Sequence, residues 1–511
     1  MLKINLLIAI LAISLNSFSQ EAQFFNNPVI RGDIADPSVI RVGDTYYSAA
    51  TSSEWAPFYP IFTSKDLINW EQQGHVFEEK PEWTSHSFWA PELYYHNGRM
   101  YCYYSARRKS DNVTYIGVAS AQGTSLKFID HGPIVEYGTE AIDAFIYNDN
   151  DKLYITWKAF GLDNRPIELL GSRLSDDGLR LEGEPFSLLK DDEDIGLEGQ
   201  YHFKKDNYYY IIYSAKSCCG PASDYDVRVA RSKNFKGPYE NYNENPILSG
   251  DGIDYQSCGH GTAVETPDGR MFFLSHGYQS GDSFYLGRQN ILHEMVVNTD
   301  GWVEFTTGKY AVNKQPIPFP GVIQNEVVDF RDDFTNNKLN VSWTWNYPFT
   351  EIETSLKNGK LVLTGTPNPD NNNGTVLCLR PQTTRYAYHT QVDNTNRSFK
   401  GLTMYGDDNN IIAIGIKDNQ IEIRSVKDGE ESILFSKAIE KENPFLKIDV
   451  ERGRMLKFSF SFDNKKWETP NIEELDASFL VRWDRVARPG LIHIGEHNTP
   501  AEFNYFELNN K

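Results

Sequence analysis

One aromatic motif recurs five times in the first 312 residues, and this repeat constrains the fold more than any other feature of the sequence. Each copy has a turn rich in Gly, Asp or Asn, followed at once by an aromatic strand, as in DTYYSA, GRMYCYYSA and DNYYYIIYSA. The copies begin at Asp44, Gly98, Asp151, Asp206 and Gly269, at intervals of 53 to 63 residues. An alternating or apolar strand precedes each turn, so each copy predicts a β-hairpin.

A second marker follows several of the hairpins, in which a small residue leads into a further pair of strands. Its copies include TSKDLINWEQQGHVF, ASAQGTSLKFIDHGPIV and ARSKNFKGPYENYNENPIL. One unit therefore holds four short strands, which is the size of one propeller blade. With 14% aromatic residues and no helical periodicity of useful length, the repeats predict a five-bladed β-propeller over residues 25–312.

The chain changes character after the fifth repeat. Residues 313–327 are rich in proline (KQPIPFPG) and predict a linker. Beyond them, segments such as KLVLTG, IIAIGIK, QIEIRSV and LKFSFSFD alternate or run apolar, with Asn, Asp and Gly between them. Many short antiparallel strands in residues 328–511 predict a second all-β domain, a β-sandwich.

Residues 1–19 have the three parts of a secretory signal peptide: the positive charge of Lys3, an apolar stretch over residues 4–15, and the small-residue pattern SFS. Cleavage after Ser19 predicts a secreted or periplasmic protein, and no other segment predicts a membrane span. The 50 Lys and Arg residues against 70 Asp and Glu residues give a formal charge of −20. This charge argues against nucleic acid or an anionic membrane as the main partner.

The five cysteines leave the disulfide pattern open. They are Cys102, Cys218, Cys219, Cys258 and Cys378, and an odd number in an exported protein excludes a complete disulfide framework. The adjacent pair, Cys218 and Cys219, could close on itself, or one of the two could reach Cys258. The plainest alternative is that all five are free or buried thiols.

The register of the repeats also predicts where a functional site lies. Eight residues before the first four turns stand Asp36, Ala90, Asp143 and Glu198, and nine residues before the fifth stands His260. The innermost strands of a propeller surround its axis, so these positions predict one ring of side chains at one mouth. Alone, Asp36 before a proline is typical of a turn and His260 of a structural histidine. Asp143 and Glu198 are single charges among apolar neighbours, where an unpaired charge would be costly.

Carboxyl groups that converge from distant positions suit the hydrolysis of a glycosidic bond. One carboxylic acid protonates the leaving oxygen, while a second carboxylate activates water or attacks the sugar. A third carboxylate beside the acid raises the pKa of that acid by like-charge repulsion. The sequence has no metalloprotease motif, phosphate-binding glycine loop, Ser-His-Asp pattern or paired CxxC to favour another chemistry.

The same segments resemble glycoside hydrolase family 43. The motifs IADPSVIRVGDTYY, FWAPELYYHNGRMYCYYSA, IDAFIYNDNDKLYITW, LEGQYHFKKDNYYYIIYSA and GHGTAVETPDGRMFF match that family in order and spacing. The resemblance implies that Asp36 is the general base, Asp143 the residue that tunes the acid's pKa, and Glu198 the general acid of an inverting hydrolase. It further implies action on arabinose- and xylose-containing polysaccharides. The second domain resembles the concanavalin-like, jelly-roll sandwich of the family's β-xylosidases.

The resemblance also suggests further site residues. It implies that Arg288 contacts substrate, and that His260 lies near substrate and faces a structural calcium on the axis through water; the chemistry itself requires no cofactor. Trp89 and Trp55 are candidates to stack on sugar rings, with a place in the core as the alternative for both. The aromatic loops SSEWAPFYP and PEWTSHSF predict the wall of a short pocket, with packing between blades as their alternative. The SCCGP loop is typical of only some branches of the family, which leaves the sugar open.

These features predict an exported inverting glycosidase that releases terminal arabinofuranose or xylose from plant cell-wall polysaccharides or oligosaccharides. The alternatives are an endo-arabinanase, a β-fructosidase and a glycan-binding propeller without activity. Ile34 and Ala35 precede Asp36 where a β-fructosidase has its Asn-Asp-Pro opening, which counts against that alternative. The presence of all three acids in register counts against a binding module.

Overall fold

The computed structural model describes residues 23–159, 166–440 and 442–511. Within these ranges the chain forms 37 β-strands and two short 3-10 helices, at Gly281–Leu286 and Ser478–Leu480, which confirms the all-β prediction. The predicted signal peptide lies outside the described residues. No helix in the described ranges has both the length and the apolar character needed to cross a membrane.

Five four-stranded antiparallel sheets follow a short first strand, β1 (Phe24–Asn26), and confirm the five-bladed propeller. The strands of blades one to three are β2 (Ser38–Val42), β3 (Thr45–Ala49), β4 (Phe58–Ser64) and β5 (Glu71–Phe77); β6 (Trp89–His96), β7 (Arg99–Arg107), β8 (Thr114–Gln122) and β9 (Ile129–Val135); β10 (Ala141–Asp149), β11 (Lys152–Ala159), β12 (Glu168–Arg173) and β13 (Phe186–Lys190). The strands of blades four and five are β14 (Glu198–Lys205), β15 (Tyr208–Ala215), β16 (Asp226–Ser232) and β17 (Glu240–Asn241); β18 (Tyr255–Glu265), β19 (Met271–Gln279), β20 (Arg288–Val297) and β21 (Val303–Phe305).

The first strand of each blade lies innermost, because β2, β6, β10, β14 and β18 contact one another in a closed ring. Strand β22 (Lys314–Pro316), which begins the proline-rich stretch, pairs antiparallel with β1. The start of the propeller is thereby fastened to the segment that follows its last blade. This pairing and the ring of inner strands bring positions far apart in sequence to one axis.

The turn residues of the repeat have the backbone conformation that tight hairpins need. Asn97 and Gly98, between β6 and β7, have φ angles of 50° and 74°. Asn150 and Asp151, between β10 and β11, have φ angles of 51° and 61°. Two successive residues with positive φ form the turn whose twist matches that of paired strands, and Asn, Asp and Gly adopt it most readily.

The second domain is a sandwich of an eight-stranded and a seven-stranded antiparallel sheet. Its strands are β23 (Phe330–Asp332), β24 (Thr344–Trp345), β25 (Thr350–Lys357), β26 (Lys360–Pro367), β27 (Thr375–Cys378), β28 (Tyr386–Val392), β29 (Phe399–Asp407), β30 (Asn410–Lys417), β31 (Gln420–Lys427), β32 (Glu430–Ala438), β33 (Phe445–Glu451), β34 (Met455–Ser461), β35 (Leu475–Asp476), β36 (Arg488–Ile494) and β37 (Ala501–Asn510). Inward-facing side chains of the two sheets, among them Leu402, Ile414, Ile448 and Phe506, form one core.

The sandwich packs against the propeller beside blade one. Ala56 forms a β-bridge with Trp345, and Arg380 Nη2 donates to Gln72 Oε1 at 2.6 Å. Residues 481–487, here named the sandwich loop, connect the second 3-10 helix to β36 and reach the propeller mouth. The sandwich thereby adds one segment of its own to the surroundings of the predicted ring.

Candidate active site

Each blade places one residue with positive φ where its inner strand begins or bulges. The five are Asp36 (52°), Ala90 (43°), Asp143 (57°), Gly199 (60°) and His260 (39°). A break in the strand register accompanies this residue in blades two to five. Non-glycine residues rarely adopt positive φ, and those that do are concentrated at functional sites. The predicted ring is therefore visible in the backbone, as one residue with positive φ in each blade.

The structure corrects the predicted register in the fourth blade by one residue. Glu198 makes the first ladder pair of β14, with Ser214, and the bulge follows it. Gly199 has the left-handed conformation that Asp143 has in blade three. A Cβ atom on Gly199 would lie 2.7 Å from the His260 ring, so only glycine fits this position. Glu198 is thus the neighbour of the ring position, and its side chain still reaches the same site.

Hydrogen bonds between neighbouring blades hold the five ring residues. In three places the backbone N–H of the ring residue donates to a hydroxyl of the preceding blade: Ala90 to Thr51 (2.8 Å), Asp143 to Ser105 (3.1 Å) and His260 to Ser214 (2.7 Å). In the other two, Gly199 donates to Asp143 Oδ2 and Asp36 donates to His276 Nδ1, both at 3.1 Å. Ser105 and Ser214 are the serines of two of the three copies of the YSA motif, whereas blade one uses Thr51 for the equivalent contact.

Asp36 lies among cationic and polar groups. Its Oδ1 atom is 3.1 Å from His276 Nδ1, 3.5 Å from His260 Nδ1 and 3.7 Å from Arg288 Nη1, while Thr51 Oγ1 donates to Oδ2 at 2.6 Å. Burial alone raises the pKa of Asp36, but Arg288, His276 and His260 outweigh it and hold the pKa well below its usual range. Asp36 is therefore ionised, as a general base must be before it accepts a proton.

Asp143 has a different environment, although its backbone position is equivalent. Its side chain is 6% exposed, Oδ2 accepts the Gly199 N–H, and His260 Nδ1 is 3.9 Å away. Burial raises the pKa of Asp143 to about 6; His260 opposes the shift and the nearby Glu198 carboxylate adds to it. Asp143 is therefore the carboxyl group of this site that most readily holds a proton near neutral pH.

Glu198 is held by two side chains. Lys158 Nζ donates to Oε2 at 2.5 Å, and the Tyr225 hydroxyl donates to Oε1 at 2.8 Å. Burial alone raises the pKa of Glu198, but Lys158 outweighs it and lowers the pKa below the usual value. Without substrate, Glu198 is thus an ionised partner of Lys158, and a role as proton donor requires this ion pair to loosen.

Sequence reasoning missed four residues of the site: Thr51, Lys158, Tyr225 and His276. Lys158 had a signal, because it is a lone charge at the end of the apolar strand β11, the same pattern that drew attention to Asp143. The other three are hydroxyl, phenol and imidazole groups in segments without an unusual pattern. Only the folded ring of blades brings these three side chains to the carboxylates.

Arg288 lies where the propeller meets the sandwich loop. It is the first residue of β20 and 4% exposed, and its Nη2 donates to the backbone carbonyl of Asp484 at 3.2 Å. The Ser53 hydroxyl donates to Asp484 Oδ2 at 2.9 Å. Burial alone lowers the pKa of Arg288, but Asp36 and other nearby acidic groups raise it above its usual value. Arg288 is thus a charged residue beside Asp36, held from the sandwich side.

The structure contradicts the prediction that Trp55 faces the pocket. Trp55 is 3% exposed; Tyr405 packs edge-on against it and the Arg488 guanidinium lies 4.1 Å above its ring. Both partners belong to the sandwich, so Trp55 is part of the core between the domains. Trp89, at the start of β6, is partly exposed beside Arg107 and stays a candidate for contact with sugar.

The two aromatic loops do not form the predicted pocket wall. Their side chains Phe58, Tyr59 and Phe88 are at most 2% exposed and pack against one another. Tyr59 also donates to the Ser105 carbonyl at 2.6 Å, and Phe58 packs against Tyr347 of the sandwich domain. Packing between blades, the alternative considered for these loops, is what the structure has, together with the contact to the sandwich domain.

His260 contacts the carboxylates of Asp36 and Asp143. Among the described residues no group of three or more His, Cys, Asp and Glu side chains is arranged to hold a metal ion. Calcium prefers six to eight oxygen ligands, and one imidazole between two carboxylates does not supply them. The calcium near His260 stays a prediction.

The structure decides between the alternatives left open for the five cysteines. Cys218 and Cys219 form a disulfide, and the thiols of Cys102, Cys258 and Cys378 are free and buried. The predictions of five free thiols and of a bond to Cys258 are therefore wrong. The disulfide lies close to the site, because Arg288 Nη1 approaches Cys219 Sγ at 3.5 Å.

The site combines an ionised aspartate, a buried carboxyl group with a raised pKa and a glutamate at one mouth of the propeller. Glycosidic hydrolysis needs one carboxylate that stays ionised and a second carboxyl group that can exchange a proton. Fold and site thus define a protein of the glycosidase class.

The comparison with known families agrees. A model for glycosyl hydrolases family 43 matches residues 25–303, and a model for the β-xylosidase C-terminal concanavalin A-like domain matches residues 331–509. The first match covers more than half of the chain, so the protein belongs to glycosyl hydrolase family 43 and is a glycosidase. The resemblance drawn from the motifs is confirmed for both domains.

Three relatives illustrate the range of activities in similar chains. A xylan 1,3-β-xylosidase of a Vibrio species is 30% identical over 362 residues, covering 65% of this chain and 66% of that protein. A non-reducing end α-L-arabinofuranosidase of Bacteroides ovatus is 29% identical over 384 residues, covering 71% and 69%. A β-xylosidase of Bacillus subtilis is 24% identical over 553 residues, covering 95% and 99%.

Solved structures share the whole two-domain fold. A family 43 protein of Bacillus licheniformis superimposes with a TM-score of 0.82 at 24% identity, covering 96% of this chain and all of that one. A family 43 protein from the xyloglucan PUL of Bacteroides ovatus has a TM-score of 0.83 at 22% identity, with the same coverage. These two likenesses concern the fold alone.

Proposed function

We propose that this protein is an inverting, exo-acting glycosidase that removes terminal α-L-arabinofuranose or β-xylose from plant cell-wall polysaccharides or oligosaccharides. The observation that carries the proposal is the meeting of Asp36, Asp143 and Glu198 at one mouth of the propeller. The relatives support the sugar class, because those above are named as xylosidases and an arabinofuranosidase.

Asp36 acts as the general base. It is ionised and held in one position by Thr51, His276 and Arg288. A fixed carboxylate of this kind orients a water molecule and takes its proton as the water attacks the sugar carbon. In an inverting enzyme the base and the acid stand roughly 6.5–9.5 Å apart, which leaves room for that water.

Glu198 acts as the general acid once substrate has arrived. The leaving oxygen must approach one of its carboxyl oxygens, and in the free enzyme Lys158 and Tyr225 occupy both. Displacement of Lys158 from Oε2 removes the cation that lowers the pKa of Glu198, so the carboxyl group takes up a proton. Asp143, whose own pKa is raised to about 6, is a neighbouring group able to share that proton.

Exo action is supported by the position of the sandwich loop. This loop touches Ser53 and Arg288, so it borders the mouth on the side of Asp36. A mouth bordered on one side accommodates a chain end more readily than the middle of a long polysaccharide. The first aromatic loop supplies Ser53 to this contact, while the aromatic side chains Phe58, Tyr59 and Phe88 are buried away from it.

Export to the periplasm or the medium is part of the proposal. The signal-like residues 1–19 support it, and so does the Cys218–Cys219 disulfide, since disulfides persist in oxidising compartments. The mass of the protein recovered from the native host tests it. A mature chain that begins near Gln20 is expected, and an intact N-terminus in the cytoplasmic fraction would contradict export.

Time-resolved product analysis on arabinan, arabinoxylan and xylo-oligosaccharides tests the function. A monosaccharide alone in the first minutes is the expected result, and its identity names the sugar. Proton NMR of the first anomer should show inversion. A ladder of oligosaccharides would replace the proposal by an endo-arabinanase, and a retained anomer would remove Asp36 as base. The Glu198→Gln variant is the control for activity from contaminants.

A further inference from the structure

The segment between β15 and β16, residues 216–225, touches both halves of the active site and is here named the disulfide loop. Near its middle, Cys219 Sγ lies 3.5 Å from Arg288 Nη1. The same nitrogen lies 3.7 Å from Asp36 Oδ1. At the end of the loop, the Tyr225 hydroxyl donates to Glu198 Oε1. One short loop thus connects the guanidinium beside the proposed base with the phenol that holds the proposed acid.

The disulfide in this loop does little for the global fold. It joins two adjacent residues, so it ties no distant parts of the chain together. In the chain-entropy model the stabilisation by a disulfide grows with the length of the loop that it closes, and here that loop is the shortest possible. Any role of this disulfide must therefore be local.

Other hydrogen bonds already fix the course of the disulfide loop. They are Ser217 N to Asp224 Oδ1 (3.0 Å), Ser223 Oγ to the Ser217 carbonyl (2.9 Å), Gly220 N to the Tyr278 hydroxyl (3.2 Å) and Gln256 Nε2 to the Pro221 carbonyl (2.9 Å). None of these contacts involves a sulfur atom. Opening the disulfide therefore leaves the loop anchored and releases chiefly the side chains of Cys218 and Cys219.

Arg288 is confined between two loops. Cys219 lies on one side, and the carbonyl of Asp484 accepts from Nη2 on the other. The loops also approach each other closely, since even a Cβ atom added to Gly220 would lie 3.2 Å from the Trp483 carbonyl oxygen. Arg288 is 4% exposed. In so tightly packed a space, the groups beside a long side chain determine its orientation. Cys219 is 5% exposed, and its sulfur packs against Arg288 on the side of the disulfide loop.

We propose that the Cys218–Cys219 disulfide is a positioning element of the active site, which holds the Arg288 guanidinium beside Asp36 so that it binds the terminal sugar. The polarisable sulfur is bulky enough to fill the space against the guanidinium, and the ring formed with Cys218 prevents it from rotating away. Cys218 is partly exposed, so a reductant reaches the bond in the folded protein. This proposal rests on the glycosidase function proposed above.

Reduction of the native enzyme is the test. The oxidised enzyme is first assayed on aryl α-L-arabinofuranoside and aryl β-xyloside; absence of activity there refutes the proposed function before the disulfide is touched. A phosphine reductant then converts the disulfide to two thiols, and mass spectrometry after alkylation of a sample measures the extent. We expect KM to rise about tenfold, the size of one lost charge-assisted hydrogen bond, with kcat changed less than about threefold. Reoxidation with diamide, which takes up the two hydrogens, should restore KM.

Two variants separate positioning from a general loss of structure. The double variant Cys218→Ser and Cys219→Ser should reproduce the raised KM and be insensitive to the reductant. In Arg288→Lys, which lacks the guanidinium, reduction should change KM little further, because the two effects share one cause. Thermal unfolding of the reduced wild-type enzyme should stay close to that of the oxidised form. Full reduction with an unchanged KM, or an effect that simply adds to that of Arg288→Lys, would overturn the proposal.

Discussion

Asp36 and Asp143 occupy the same backbone position in blades one and three, and their carboxyl groups behave in opposite ways. Each has a positive φ, and each backbone N–H is bound by a side chain of the preceding blade in the ring. Burial alone raises the pKa of both, yet Arg288 and two histidines bring that of Asp36 well below its usual range, whereas that of Asp143 rises to about 6. The fold sets where a carboxyl group stands, and its neighbours decide whether it keeps a proton.

The same contrast extends across the propeller mouth. On one side, which we name the base side, Asp36 is surrounded by His260, His276 and Arg288, and the sandwich loop reinforces Arg288. On the other, the acid side, the two carboxyl groups of Asp143 and Glu198 lie near the Lys158 ammonium group and the His260 ring. The Arg288 guanidinium faces one carboxylate, Asp36, and keeps it ionised, whereas Lys158 lies beside two carboxyl groups, between which a proton can move.

The strongest test of the base side is Asp36→Asn. The amide keeps the shape and the contact with Thr51 but takes no proton from water, so kcat should fall about 10²–10⁴-fold, as expected for loss of general base catalysis. Steady-state kinetics on an aryl glycoside and on a natural oligosaccharide measure it. Asp44→Asn, in the exposed turn of the same blade, is the matched control and should keep full activity. A comparable loss in the control, or an active Asp36→Asn, would remove the base assignment.

On the acid side, Glu198→Gln should depend on the leaving group in a way that Asp36→Asn does not. A natural sugar needs protonation to depart, so kcat should fall about 10²–10⁴-fold with oligosaccharides. An aryl leaving group with a low pKa departs without help and should recover most of the rate. A series of substituted aryl glycosides gives the slope of log kcat against leaving-group pKa for both variants. Equal slopes would mean that the two roles are exchanged or shared.

Much of this arrangement could be predicted from the sequence because the information is periodic. The repeat of turn and aromatic strand fixes the blade count, and counting back from each turn identifies Asp36, Asp143 and His260. For Glu198 the count from the turn is wrong by one residue, because Gly199 occupies the ring position in that blade. A bulge changes the count along a strand by a residue, and spacing alone does not reveal it.

The remainder depends on contacts between distant segments. Lys158 reaches Glu198 from the neighbouring blade, and the pKa of an acid cannot be judged without that cation. For Trp55 the sequence leaves stacking on sugar and a place in the core as alternatives, and only the docked sandwich, through Tyr405 and Arg488, decides for the core. Where a second domain docks is set by the shape and charge of two whole surfaces, which no local pattern records. The motifs therefore predicted the acids better than the groups that tune them.

Lys158→Met removes the cation of the acid side and should raise the pH up to which the enzyme stays active. Lys158 lowers the pKa of Glu198, so Lys158→Met should raise that pKa. The acid works in its protonated form, and kcat/KM reports the free enzyme. The basic limb of the kcat/KM profile should therefore move to higher pH, by about one unit or more. Lys152→Met, at the exposed start of the same strand, should leave the profile unchanged. A limb that moves to lower pH would exclude Glu198 as the group that it reports.

Asp143→Asn should move the same limb in the opposite direction. The two carboxylates repel each other, so the pair loses its last proton only at the raised pKa of about 6 of Asp143, and until then Glu198 can hold that proton. The asparagine keeps an oxygen for the Gly199 N–H but loses the charge. The basic limb should then shift to lower pH, because Glu198 without this partner titrates with the pKa that Lys158 lowers. Kinetics over a pH series, with Asp151→Asn in the turn of the same blade as control, measure the shift. An unmoved limb with normal activity would reduce Asp143 to a structural residue, whereas opposite shifts in Lys158→Met and Asp143→Asn would establish that one cation and one anion together set the proton affinity of the acid.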